Sequence, residues 1–169
     1  ATFDARLRET SRRELTPLFS AARARARRGA SFNAIPANPA IGTTFTLNAN
    51  GIQACTQVKN RTARVAAVSA NAIVVADVDN PAGGFTDAEY LAFATTFDTL
   101  IHPIDITAFG APPDIDHNGK VVIFFTKEVN ALTAKGSTGG TIGGFFFERD
   151  LFPTTSTADL QGCAGSNFA

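Results

Sequence analysis

The heptapeptide KVVIFFT, residues 120–126, constrains the fold of this chain more than any other stretch. Its β-branched and aromatic residues favour an extended backbone, in which successive side chains point to opposite faces. Every position from Val121 to Phe125 is apolar, so both faces of such a strand need cover. That composition belongs in the middle of a sheet with packing on each side. The expected fold class is therefore α+β, with this strand in a mixed sheet and a helix packed against it.

The helix is written just upstream. After the breaker DNPAGG, Thr86 and Glu89 are spaced as a capping box, with Phe85 placed to staple onto the first turns. Tyr90, Phe93, Ala94, Phe97, Leu100 and Ile101 then recur at intervals of three and four until Pro103, which is expected to end the helix. Downstream, GGFFFERDLFP (143–153) reads as a second strand leaving the glycine-rich GSTGGTIGG. That glycine run lacks the lysine of a phosphate-binding loop and reads as a flexible turn.

Before the helix the period changes twice. Residues 43–78 hold four β-branched segments, TTFTLN, IQACTQV, RTARVAAVS and NAIVVADV, separated by turn residues. They read as a small four-stranded antiparallel module. Residues 31–42 are a linker, because their prolines and asparagines forbid regular structure. Residues 1–30 form a helical arm, whose narrow apolar stripe comprises Phe3, Leu7, Leu15, Leu18 and Phe19. The expected organisation is arm 1–30, linker 31–42, β module 43–80 and α/β module 81–169.

Net charge is zero, yet it is unevenly spread. The arm carries eight arginines, Arg23, Arg25, Arg27 and Arg28 among them, against three acids, a net of +5 that leaves −5 on the body. Guanidinium groups pair bidentately with carboxylates and phosphates, and so narrow an apolar stripe is marginal as an isolated helix in water. The stripe and these four arginines are the expected partner-binding residues. The expected partner is a protein or membrane-associated assembly, with an anionic lipid surface as a further option. Nucleic acid is not expected, because the body is acidic.

Cys55 and Cys163 lie far apart, in loop-like QAC and GCAGS contexts unlike metal spacings. A disulfide between them is the expectation, and it points to an oxidising, extracytoplasmic compartment, periplasmic or secreted. The chain opens on Ala1, not Met, as a processed chain would. No run of 18 apolar residues is present.

Just ahead of KVVIFFT, Asp114, Asp116 and Asn118 stand at alternate positions before Gly119. This matches the first half of a calcium loop, but Phe125 occupies the position where a bidentate Glu belongs. The competing reading is an Asx-rich turn leading into the strand. Asp105 or Glu128 is the nearby acid that would substitute for it. His102 and His117 are the only histidines, and no H-E-x-x-H sequence exists, so zinc is not expected in this chain.

The order DIDHNGKVVIFFTKEVNAL, GGFFFERDLFP and GCAGSN resembles the start of the catalytic domain of secreted bacterial zinc metallopeptidases of the hyicolysin type. RTARVAAVSANAIVVADV is similar to the β module that precedes that domain. The resemblance covers roughly residues 42–167. In that family the H-E-x-x-H helix and its acidic base follow a GSN segment, here Gly165, Ser166 and Asn167. No zinc ligand or catalytic Glu of the family has a position in this sequence. The resemblance therefore implies a non-catalytic, metallopeptidase-like structural or interaction module. The alternative it implies is the N-terminal part of an active secreted zinc metallopeptidase.

Overall fold

The computed structural model describes residues 35–51, 57–112, 114, 116–146, 150 and 167. The basic arm, both cysteines and most of the last twenty residues lie outside that set, and with them the expected arm helix and disulfide. Four strands form one sheet in the order β1-β2-β3-β4: β1 (Thr44–Asn48), β2 (Asn60–Val68), β3 (Ala72–Asp77) and β4 (Val121–Phe125). The first three are an antiparallel meander, while β4 runs parallel to β3. The expected all-antiparallel four-stranded module is thus corrected to a mixed sheet. Its fourth member is the KVVIFFT strand, brought in by a helical crossover, because a parallel neighbour cannot be reached by a tight turn. IQACTQV, expected as a strand, falls largely outside the described residues. Residues 143–146, expected to begin a strand, have no regular structure.

Strand parity sorts the core into two faces. Val65, Ile73 and Val75 face one side with Leu47 and Ile35, where Val122 and Phe124 pack against them. Val74 and Ala76 face the other, under Tyr90 and Ala94 of the helix, with Ile123 and Phe125 alongside. The register of β2 against β3 shifts between Val65 and Ala67. A one-residue bulge of this kind reverses which face successive side chains occupy, so Ala66 and Ala67 both join the helix-side cluster. Two alanines there leave room for the helix to approach the sheet.

The crossover contains α1 (Asp87–Thr96), a π turn (Phe97–Ile101) and α2 (His102–Phe109). The capping box is present: the Thr86 side chain accepts from the Glu89 amide at 3.3 Å, and Glu89 accepts from the Thr86 amide at 2.7 Å. Phe85 meets Tyr90 edge-on at 5.8 Å, which is the hydrophobic staple. Thr86→Ala is expected to cost about 1 kcal/mol in urea unfolding.

Pro103 does not end the helix. The preceding π turn, in which the His102 amide reaches back to the Phe97 carbonyl, restarts the winding. Pro103 then falls in the first turn of α2, where its missing N–H costs nothing. The wide turn also aims Asp98 at the β2–β3 turn. Its carboxylate accepts the amides of Ala70 and Asn71, each at 2.9 Å. Lys120 grips the same turn from the other side, donating to the carbonyls of Ser69 and Ala70. The crossover and the entrance to β4 are thereby keyed to one tight turn, which sets the register of the parallel pair.

Candidate functional site

β4 borders an open cleft with a volume of about 1280 Å³. All five residues of the strand are half-buried, and among the described residues β3 is its one strand neighbour. A strand with the composition of a central strand thus stands at the rim of the described sheet. On the helix side the cleft is walled by aromatic rings. Phe93 stacks on Phe125 at 5.2 Å, and Phe85 meets Phe93 edge-on at 5.0 Å.

The aspartate loop lies where the chain enters β4. The Asn118 side-chain oxygen accepts the Lys120 amide at 2.7 Å, and its nitrogen donates to Asp116 at 2.7 Å and to the Ile35 carbonyl at 3.1 Å. Asp114 accepts the Gly119 amide at 3.1 Å. His117 takes a left-handed backbone, φ 58°, to make the turn. The loop's oxygens are thus engaged with its own amides, as an Asx-rich turn requires. Burial, reinforced by the neighbouring charge of Asp114, pushes the Asp116 carboxyl up to about 6.

Of the two nearby acids, Glu128 is engaged away from the loop. Glu128 is held by Lys59 beyond the far end of β4, and five strand residues put the two ends roughly 17 Å apart. Asp105 belongs to α2. His102 lies against Phe97 on the crossover. No group of three His, Cys, Asp or Glu side chains comes together among the described residues. Calcium at Asp114, Asp116 and Asn118 stands as a proposal.

Beyond the C-terminal end of β3 and β4 sits a charged cluster that sequence reasoning missed. Asp77, the last residue of β3, has a fully buried side chain. Arg61 grips it with two nitrogens at 2.8 and 3.1 Å, and the Thr126 hydroxyl donates to it at 2.7 Å. The Asp79 amide adds a fourth bond at 3.0 Å. Burial alone would raise the Asp77 carboxyl, but these bonds from Arg61 and Thr126 outweigh it and hold the group below its ordinary value. Arg61 also reaches Asp79 at 2.6 Å and lies 3.8 Å from Glu128. A buried carboxylate with its lone pairs satisfied is a structural pin, joining β2, β3 and the exit of β4. The available signal was an aspartate closing an all-apolar strand, with an arginine at the start of the preceding one.

A further polar contact involves Asn167. The Asn167 side-chain oxygen accepts the Asn48 amide at 2.6 Å and its side-chain nitrogen donates to the Asn48 carbonyl at 3.2 Å, so the side chain clamps the backbone at the end of β1. Asp150 accepts from both the amide and the side chain of Asn167, at 2.9 and 3.1 Å. Asn167 is thereby fixed to a residue 119 positions earlier. Phe145 closes over Gly51, whose missing side chain makes that approach possible: a Cβ there would lie 2.9 Å from the ring.

The chain is similar to a neutral metalloprotease from Staphylococcus hyicus, named ShpI, with 34% identity over 77 residues. That stretch is 44% of this chain and 17% of the relative, so the match spans about one sixth of the relative's length. No family model matches the chain. Among the described residues no helix is long and apolar enough to cross a membrane. The likeness supports a metallopeptidase-related region within an α+β chain.

Proposed function

We propose that this chain is a non-catalytic structural and interaction module of metallopeptidase type, acting outside the cytoplasm. In this reading the fold serves as a scaffold, and the basic arm contacts a partner protein or membrane-associated assembly. The carrying observation is the arrangement around β4. Its C-terminal end is locked by a closed ion network, its entrance by an Asx turn, and its apolar length borders an open cleft. The polar groups described there are engaged in holding the fold, which supports a role carried by surface contact. The likeness to a metalloprotease supports the origin of the scaffold, and the proposed extracytoplasmic setting follows from the expected disulfide.

The alternative is the N-terminal part of an active secreted zinc metallopeptidase. The same strand favours it, since an all-apolar strand at a sheet rim is completed when further chain packs beside it. The intact mass of the protein isolated from its source separates the two readings, because the alternative requires a chain heavier than 17.7 kDa, and proteolysis tests the first. Material verified at 17.7 kDa is expected to show no chelator-sensitive cleavage of casein. Cleavage abolished by chelation and restored by zinc would overturn the non-catalytic reading.

A further inference from the structure

The chain contains two Asn-Gly pairs, Asn50–Gly51 and Asn118–Gly119, and the fold treats them oppositely. Asparagine is a chemically labile residue, and before glycine the backbone can react with its side chain. The amide nitrogen that follows the asparagine attacks the side-chain carbonyl carbon. Glycine presents that nitrogen with no Cβ to crowd the approach and with the freest backbone of any residue. Whether the reaction runs in a folded protein depends on how firmly the structure holds the two groups, and on the cost of opening it locally.

Asn118–Gly119 is held on both sides of the reaction. Asn118 is 7% exposed. Its side-chain oxygen accepts the Lys120 amide, and its nitrogen donates to Asp116 and to the Ile35 carbonyl. The attacking group is engaged as well, since the Gly119 amide donates to Asp114 at 3.1 Å. All of these bonds stand in the way of ring closure.

Asn50–Gly51 is placed differently. It lies in the connection between β1 and β2, where the chain bends at Gly51. Asn50 is half-buried. Its side-chain nitrogen, the group that would leave, donates to the Gln57 carbonyl at 2.6 Å at the surface. Among the described residues the Gly51 amide, the attacking group, donates to no acceptor.

We propose that Asn50 is a site of spontaneous deamidation in the folded protein, and that its turn protects Asn118 from the same reaction. The co-reactant is water. The Gly51 amide gives its proton to solvent hydroxide, and its nitrogen bonds to the Asn50 Cγ. The bond from Cγ to Nδ2 breaks, and the nitrogen takes a proton from water and leaves as ammonia. The succinimide so formed is opened by a second water. Attack at Cγ gives aspartate on an unaltered backbone, and attack at the main-chain carbonyl gives isoaspartate, whose backbone runs through the side-chain carbons. Isoaspartate thus inserts one carbon ahead of Gly51 and shifts it against the Phe145 ring packed there. Either product also sets a carboxylate two residues from Asn48, whose side-chain oxygen closes this connection by accepting the Asn50 and Lys59 amides at 3.1 and 3.0 Å. The modification loosens that closure.

Incubation of the full chain in mildly alkaline buffer, followed by peptide mapping, tests the assignment. The peptide bearing Asn50 should gain the mass difference between an amide and an acid, and should accept label from an isoaspartate-specific methyltransferase. Asn118 should react at least about tenfold more slowly, because its hydrogen bonds must open first. In urea that difference should vanish. Asn50→Gln keeps the carboxamide but requires a larger ring, so it should remove the acidic species from native material. The isoaspartyl form, separated by charge, should unfold at a lower urea concentration than the parent. No mass gain at Asn50 in the native chain would overturn the proposal, as would Asn118 reacting as fast as Asn50 before unfolding. An isoaspartyl form with an unchanged unfolding midpoint would overturn the loosening of the connection.

Discussion

Asp77→Ala is expected to remove about 3–5 kcal/mol of folding stability, because it strips the partner from a charge held inside the protein. Arg61 would keep Asp79 and Glu128 nearby, but its two-nitrogen grip and the acceptor of Thr126 would both be gone. Asp79→Ala supplies the comparison. Asp79 binds the same arginine at 2.6 Å, yet its side chain is 59% exposed where that of Asp77 is fully buried. An exposed ion pair contributes at most about 1 kcal/mol. Urea unfolding of the two variants at neutral pH checks the contrast. Equal losses would mean that the cluster is a surface network and not a pin. Acid should act in the same direction as the Asp77 substitution. The folded Asp77 carboxyl lies below its ordinary value of 3.8, so its contribution is complete above that pH. It is lost as pH falls through the folded value.

This cluster also shows where a sequence stops being readable. Features fixed within a few residues were legible: the Thr86 and Glu89 box, the Phe85 staple, and the β-branched runs that became β1, β2, β3 and β4. Their determinants lie within one turn or one strand. Features fixed by pairing across long separations were not. Nothing local in KVVIFFT states that its neighbour is β3, or that it runs parallel to it. That is set by the length of the crossover and by the grip of Asp98 and Lys120 on the β2–β3 turn. Pro103 misled in a related way: its effect depends on the winding before it, and a π turn changes a stop into a start. The site was partly legible. Asp114, Asp116 and Asn118 form the loop their spacing implied, whereas the Arg61–Asp77 pair and the Asn48–Asn167 clamp join residues 16 and 119 positions apart.

The second large effect has the opposite sign. Asp116 lies in the turn before β4, with its carboxyl raised to about 6 by burial and by Asp114. A group whose folded value exceeds its unfolded one holds its proton more firmly in the native state. Its favourable contribution is present below the unfolded value of 3.8 and is lost as pH rises to about 6. Above that pH the native state carries a partly buried carboxylate beside another, at a cost on the order of 2 kcal/mol. Asp116→Asn should therefore stabilise the protein by about that amount at neutral pH. The amide retains an oxygen to accept from Asn118 and removes the charge. Below the unfolded value of 3.8 the variant and the parent should converge in urea unfolding, since the parent's carboxyl is then protonated in both states. Together with Asp77 this gives the parent a stability maximum in mildly acidic solution, and the variant a plateau that extends to neutrality. A bound cation would relieve the same repulsion by another route. If Asp114, Asp116 and Asn118 hold calcium, millimolar calcium at neutral pH should raise the melting temperature of the parent, and Asp116→Ala should abolish that rise. Asp116→Asn without effect on stability at neutral pH would show that the carboxylate is solvated, and would remove the electrostatic motive for a cation there.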